Sequence, residues 1–209
     1  MNITIIGASA GVGLACTTEA LARGHQVTTL SRRVDTLPAH PALTVRQGSA
    51  TQADDLRAAI TGANAVLVTL GTGSSIKPTT LYTDFATALL EARDALGDAP
   101  LIVLTGFGAS ESAAYHGWLT SLLFRLFLKD VYADKSVMEG RLVASDLNWM
   151  LVRPGVLTNG APSGPPRVQT DYVQGMKVGS IPRRTVARFM VAQAEQPTYL
   201  HQKPALSAR

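Results

Sequence analysis

Short runs rich in Val, Ile, Leu and Thr recur along this chain, each followed by a longer stretch with helical spacing of its apolar residues. This alternation restricts the fold more than any other feature, because parallel strands need crossover connections, usually helices, that cover both faces of the sheet. The predicted strands are 2–6, 26–30, 43–47, 64–70, 100–105 and 148–153, and the predicted helices are 11–23, 52–60, 80–96, 131–145 and 184–195. At 209 residues the chain is long enough for one well-buried domain and short for two. The expectation is α/β, a doubly wound parallel sheet in a single domain over residues 1–209, with any ligand at the carboxyl ends of the strands.

The first strand runs directly into Gly7-Ala8-Ser9-Ala10-Gly11-Val12-Gly13, which opens the first helix. Strand, glycine turn and helix in that order make a Rossmann-type site for a diphosphate. Gly7 permits the tight turn, Gly11 lets the backbone approach the diphosphate, and Gly13 allows close packing of helix and strand. Ser9, Ala10 and Val12 complete the cradle, and the free N–H groups of the helix end supply the positive field.

Composition excludes several alternatives. Apolar residues make up 46% and charged residues 16%, so a packed globular chain is expected rather than a disordered one. The net charge of +4 is scattered, without a basic cluster or interleaved aromatics, and supports no nucleic-acid partner. Trp118 to Leu128 is the most apolar later stretch, yet it is far shorter than the ~20 residues of a membrane span. No export signal is read at the N-terminus and the single Cys16 cannot pair within the chain, which fits a cytoplasmic protein with no membrane association. Cys16 reads as a small core residue, and no His, Asp or Glu pair has metal-ligand spacing. The Pro- and Gly-rich stretch from Asn159 to Pro166 is expected to be a mobile loop beside the site.

The Gly-x-x-x-Gly-x-Gly spacing of Gly7, Gly11 and Gly13 resembles the short-chain dehydrogenase/reductase superfamily. Gln47-Gly48-Ser49-Ala50-Thr51, Val68-Thr69-Leu70-Gly71-Thr72, Asn148 through Thr158 with its Arg153-Pro154-Gly155, and Ser180-Ile181-Pro182-Arg183 followed by Val186-Ala187 resemble its atypical branch. That branch holds NAD(P)H-binding proteins related to biliverdin/flavin reductase and to NmrA-like regulators. The resemblance covers nearly the whole chain. It implies that Leu70, Gly71 and Thr72 pass the nicotinamide-side ribose and phosphate, and that Pro154, Gly155, Val156 and Leu157 meet the carboxamide through backbone groups. A plain strand-ending turn is the other reading of the latter segment.

The second strand ends in Ser31-Arg32-Arg33, where NAD-selective sites carry Asp or Glu. A guanidinium grips a 2′-phosphate through a forked pair of bonds, so NADP(H) is preferred over NAD(H), with Arg32 the first choice and Arg33 beside it. Solvated loop arginines are the alternative. Ser49 and Ala50 follow the third strand where relatives commonly have Gly-Asp. Ser49 binds adenine more weakly than a carboxylate would.

Dehydrogenases of the superfamily place a Ser at the end of strand five and a Tyr four residues before a Lys. Here Thr105 and Gly106 end that strand, Lys135 matches the lysine, and Val131 stands at the tyrosine position. Tyr132, one residue later, is rotated by about 100° around the helix, which disfavours Ser-Tyr-Lys chemistry. Lys135 either binds ribose or is solvated. Thr105, Tyr132 and Lys135 are the catalytic candidates, with Tyr115 and His116 as further proton donors on the cleft rim. The apolar positions of Gly117 to Leu128 form either core or an apolar wall over the nicotinamide.

The function implied is NADPH-dependent hydride transfer to a small aromatic or conjugated acceptor, such as a flavin or quinone, without the Tyr-Lys pair. The alternative is a non-catalytic, NmrA-like NADP(H)-binding regulator. A reductase of a tailored natural product is a third reading. A monomer or weak homodimer is expected.

Overall fold

The computed structural model describes residues 1–73, 79–107, 129–162, 164–173, 176 and 178–208. Six strands and their helices follow the alternation: β1 (Asn2–Ile6), α1 (Gly11–Ala22), β2 (Gln26–Ser31), β3 (Leu43–Gln47), α2 (Ala53–Ile60), β4 (Ala65–Val68), α3 (Leu81–Glu91), α4 (Arg93–Leu96), β5 (Leu101–Leu104), α5 (Lys129–Val143) and β6 (Trp149–Pro154). After them come β7 (Leu157–Thr158), β8 (Arg167–Gln169), β9 (Ile181–Pro182), α6 (Arg183–Glu195) and β10 (Ala205–Ser207).

The main sheet runs β3-β2-β1-β4-β5-β6-β10-β8. All of its pairings are parallel except that of β10 with β8. This is the α/β, Rossmann-type, doubly wound arrangement the alternation predicts. The strand order reverses between β1 and β4, so a crevice opens at their carboxyl ends.

Period-two alternation divides the apolar residues between two layers. Ile3, Ile5, Leu67, Ile102, Leu104, Met150 and Val152 face α1 and α6, together with Cys16, Ala20, Ala187 and Met190 from those helices. Ile6, Val66, Val68, Val103 and Leu151 face the other side and pack on Leu56, Phe85, Leu89, Met138 and Leu142 of α2, α3 and α5. Neighbours on one strand thus anchor opposite layers, which is why these runs read as continuously apolar.

Three differences from the predicted elements follow from contacts between residues distant in the chain. The helix predicted over 80–96 breaks at Ala92, whose N–H is shared between the carbonyls of Ala88 and Leu89. Arg57 accounts for the break: its guanidinium donates to the Glu91 carbonyl (2.9 Å) and pairs with Asp94, drawing the following turn aside. Strand β4 ends at Val68 rather than at residue 70, because Thr69 turns its hydroxyl onto the Ile6 carbonyl (3.0 Å). Strands β7 to β10 are two or three residues long, too short for any periodicity, and are held by their neighbours rather than by their own pattern. The described part of the stretch from 159 to 166 has no helix or strand and leads into the antiparallel edge strand β8.

No helix among the described residues is long and apolar enough to cross a membrane. Cys16 is fully buried, and that burial pushes its thiol pKa far up, as befits a core residue.

Candidate functional site

The glycine turn lies at the point where the strand order reverses. Gly7 has φ +83° and donates its N–H to the Leu30 carbonyl (2.9 Å), closing β1 against β2. A β-carbon on Gly7 would stand 3.0 Å from the Thr69 carbonyl group, and one on Gly13 only 2.2 Å from the Gly7 oxygen. These two glycines are therefore fixed by packing of turn, helix and β4. Gly11 differs: it is exposed at φ +58°, and the nearest neighbour to a β-carbon there is the Arg183 side chain at 3.8 Å.

The start of α1 is open. Ala10 is extended, provides no side-chain cap, and no acidic residue stands in the first turn. Val12 is buried, and the Ser9 carbonyl accepts from the Thr36 hydroxyl (2.6 Å). The first N–H groups of this helix thus present a positive end to the crevice, which suits an anion.

At the end of β2, Ser31 is 6% exposed, and its hydroxyl has no hydrogen-bond partner among the described residues. A buried unpaired hydroxyl costs free energy unless something satisfies it, and this one sits beside the exposed Arg32 and Arg33. Among the described residues neither guanidinium has an ion-pair partner. An open helix end, an unsatisfied hydroxyl and two unpaired cations fit a ligand carrying several phosphate charges, as a nicotinamide dinucleotide does.

Ser49 is already engaged. Its N–H donates to Asp55 Oδ2 (2.7 Å) and its hydroxyl lies 2.9 Å from that of Thr51. A carboxylate from α2 thereby reaches the corner after β3. Ala50 is buried below it, and beyond β4 Leu70 and Thr72 are half-buried while Gly71 is exposed.

At the ends of β5 and β6 the catalytic candidates meet. Thr105 is buried, its hydroxyl 3.4 Å from the Val152 carbonyl, and its own carbonyl accepts from Lys135 Nζ (2.8 Å). Nζ also lies over the rings of Tyr82 (5.1 Å) and Tyr132 (5.2 Å). Tyr132 reaches further than helical rotation alone suggests, because its hydroxyl lies 3.0 Å from where a β-carbon on Gly106 would be. Glycine at that strand end provides the space that the phenol occupies. Val131, at the superfamily's tyrosine position, is buried in the α2–α3–α5 layer.

Burial shifts the pKa values of these groups in opposite directions, favouring the neutral form of each. It lowers Lys135 to about 8, a fall opposed by the Glu139 carboxylate one turn on. It raises Tyr132 to about 12, with Glu139 adding to the rise, so the phenol keeps its proton at neutral pH. Tyr115, His116 and the 117–128 segment lie outside the described residues.

The turn after β6 is tied down by its neighbours. Pro154 accepts from the Phe107 N–H, Gly155 donates to Leu206, and Val156 accepts from Ile181. A side chain on Gly155 would collide with the Gly179 carbonyl at 1.9 Å, which explains the glycine after Arg153-Pro154. What this turn presents outward is the Val156 side chain, 70% exposed, with Leu157 half-buried beside it. Phe107 stacks edge-on with Tyr172 at 5.7 Å and shares an apolar cluster with Met176.

Two arrangements were not read from the sequence. Arg153 (0% exposed) and Glu139 (1% exposed) form a buried fork, Nε to Oε1 at 3.2 Å and Nη2 to Oε2 at 2.5 Å, which locks α5 onto β6. Tyr172 extends it, lying 3.3 Å from Arg153 Nη1 and donating to the Lys203 carbonyl. The Asp134 carboxylate accepts from the Tyr82 and Thr83 N–H groups (2.9 Å each) and caps α3 from a different helix. The signal in the sequence was Arg153, a charged residue inside the otherwise apolar run of β6. Among the described residues no group of three His, Cys, Asp or Glu could hold a metal ion.

Solved structures share this architecture over almost their full length. An anaerobillin reductase, ChuY, of Escherichia coli O157:H7 is 24% identical, with a TM-score of 0.78 over 99% of this chain and 97% of its own. A short-chain dehydrogenase/reductase of Veillonella parvula DSM 2008, solved with NADP, is 18% identical, with a TM-score of 0.79 over 99% and 94%. An oxidoreductase of Lactococcus lactis is likewise 18% identical, with a TM-score of 0.77 over 100% and 91%. The sequence of residues 7–197 also matches the model of the NAD(P)H-binding family. The glycine turn at the strand reversal and that match over most of its length place this chain in the NAD(P)H-binding family.

Proposed function

We propose that the protein is an NADPH-dependent oxidoreductase that reduces a small conjugated acceptor such as a flavin or quinone. One observation carries the reading: the open diphosphate cradle at α1 and the exposed Val156 lie after carboxyl ends of the same sheet, and Lys135 and the protonated Tyr132 phenol stand at the end of β5, the strand next to the one that Val156 follows. Bound NADPH supplies a hydride. The chain supplies the rest.

Gly11 and the first N–H groups of α1 hold the diphosphate, while Arg32, with Arg33, holds the 2′-phosphate. Ser31 and Ser49 lie toward the adenosine half. Gly71 and Thr72 line the way to the nicotinamide half, and Lys135 lies toward its ribose. Val156 and Leu157 form an apolar support for the ring and keep water from it. A conjugated acceptor spreads the incoming charge, so alignment and exclusion of water matter more than a dedicated acid, and solvent can complete the protonation. The relation to an anaerobillin reductase and to a structure solved with NADP supports a reductase using this cofactor.

The test is NADPH oxidation followed at 340 nm with free flavins and quinones as acceptors. Turnover with at least one is expected. Tight NADPH binding with no turnover on any of them would overturn the enzymatic reading in favour of a redox-sensing regulator.

A further inference from the structure

We infer that Arg183 clamps the cofactor diphosphate from above the glycine turn and ties it to the loop after β6. This role rests on the NADP(H) reading but adds a residue outside the glycine turn and the second-strand arginines. The argument begins with the pairing of α1 and α6. At their far ends Arg23, capping α1, pairs with Glu195 of α6 (2.7 Å), and nearer the middle Arg188 of α6 lies 3.5 Å from Glu19 of α1. At their near ends Gly11 and Arg183 are the first residues of their helices, and the Arg183 side chain lies 3.8 Å from where a β-carbon on Gly11 would stand. The helices therefore run parallel, with two positive ends side by side.

Arg183 is oddly placed for a helix of its own. It and Arg184 occupy the first turn of α6, where no acidic residue offsets them and the helix dipole opposes a cation. Such a placement is favourable once an anion lies between the cation and the helix ends. The side chain is also aimed. Its Nη1 donates to the Leu157 carbonyl (3.2 Å) and to Asn159 Oδ1 (2.8 Å), while Nε is the atom nearest the β-carbon position of Gly11. The edge formed by Nε and Nη2 is left over among the described residues, and that edge is the fork that grips phosphate oxygens. Short β7–β9 pairing, Leu157 beside Ile181, holds the arginine in register with the loop. One guanidinium thus faces the diphosphate with one edge and fastens the nicotinamide-side turn with the other.

The clamp makes a prediction distinct from that for Arg32, because the diphosphate is common to NADPH, NADH and ADP. Calorimetric titration with each should show Arg183→Ala weakened by about tenfold to a hundredfold for all three. Arg183→Lys should recover only part of the loss, since an ammonium cannot fork. Unchanged affinities in a folded Arg183→Ala, or a loss confined to NADPH, would overturn the clamp and leave the NADP(H) reading standing. Should Arg183→Ala fail to fold, Arg183→Lys carries the same test, and wild-type affinity for all three ligands overturns the clamp. A wild-type protein that binds none of the three overturns the NADP(H) reading and the clamp with it.

Discussion

The Tyr132 hydroxyl lies 3.0 Å from the point where a β-carbon on Gly106 would stand. Strand β5 and helix α5 are thereby matched, a missing side chain on one making room for a phenol on the other. Gly106→Ala should force the ring aside at a cost of about 1–3 kcal/mol. Adding Tyr132→Phe removes the crowding atom and should restore part of that loss, the rest reflecting the φ of +159° at residue 106, which suits glycine. Urea unfolding of both single variants and the double measures the coupling, and simple additivity would show that the two residues do not share the space.

Loss of the hydroxyl alone separates two classes of acceptor. A carbonyl substrate that takes its proton from Tyr132 would lose about 10²–10⁴-fold in kcat on Tyr132→Phe. A flavin or quinone, whose reduced form draws its proton from solvent, should lose less than about tenfold. Steady-state kinetics with the best acceptor decides, and a large loss would exclude the solvent-proton route.

Cofactor choice turns on the charges after β2. Arg32→Ala together with Arg33→Ala should weaken NADPH binding by about tenfold to a hundredfold, the range expected from losing a charge-assisted hydrogen bond, and barely alter NADH. A double variant with the original preference for NADPH would show that these arginines do not hold the 2′-phosphate.

The fork between Arg153 and Glu139 is buried on both sides, so removing one partner strands the other's charge. Arg153→Met should lose about 3–5 kcal/mol of stability, whereas pairing it with Glu139→Leu should regain most of the loss. Equal losses in the single and double variants would show that packing, not the stranded charge, sets the cost.

Lys135 gives the protein a defined pH response. Burial lowers its folded value to about 8, whereas in the unfolded chain the amine holds its proton to about 10.5. Between those values the unfolded chain carries the extra proton, so this residue's contribution to stability rises with pH across that window. The melting temperature of the wild type minus that of Lys135→Met should therefore increase from pH 7 to pH 9.5. A flat or falling difference would show that the amine is not desolvated.

Most of the architecture was legible in one dimension. Apolar runs with a two-residue period fix which side chains enter which layer, and the run from Ile3 to Gly13 marks a strand, a turn and a helix. Positive φ at Gly7 and the absence of room at Gly13 are properties of that short segment and the strand beside it. What depends on chain neighbours far apart was not legible. The end of β4 follows from a hydroxyl reaching Ile6, the break at Ala92 from Arg57, and the short strands from partners that supply their hydrogen bonds. Helical geometry sets Tyr132 one position away from the residue four before Lys135, but a side chain's reach depends on what opposes it. Only the packing of α5 on β5, locked by Glu139 and Arg153, places the phenol in the space left by Gly106. Likewise, the sequence puts Arg183 some 170 residues from Gly11, and only the parallel pairing of their helices brings a guanidinium to the glycine turn. Local propensity and period are written in the sequence, whereas a site assembled from several strand ends exists only once the sheet has set their order.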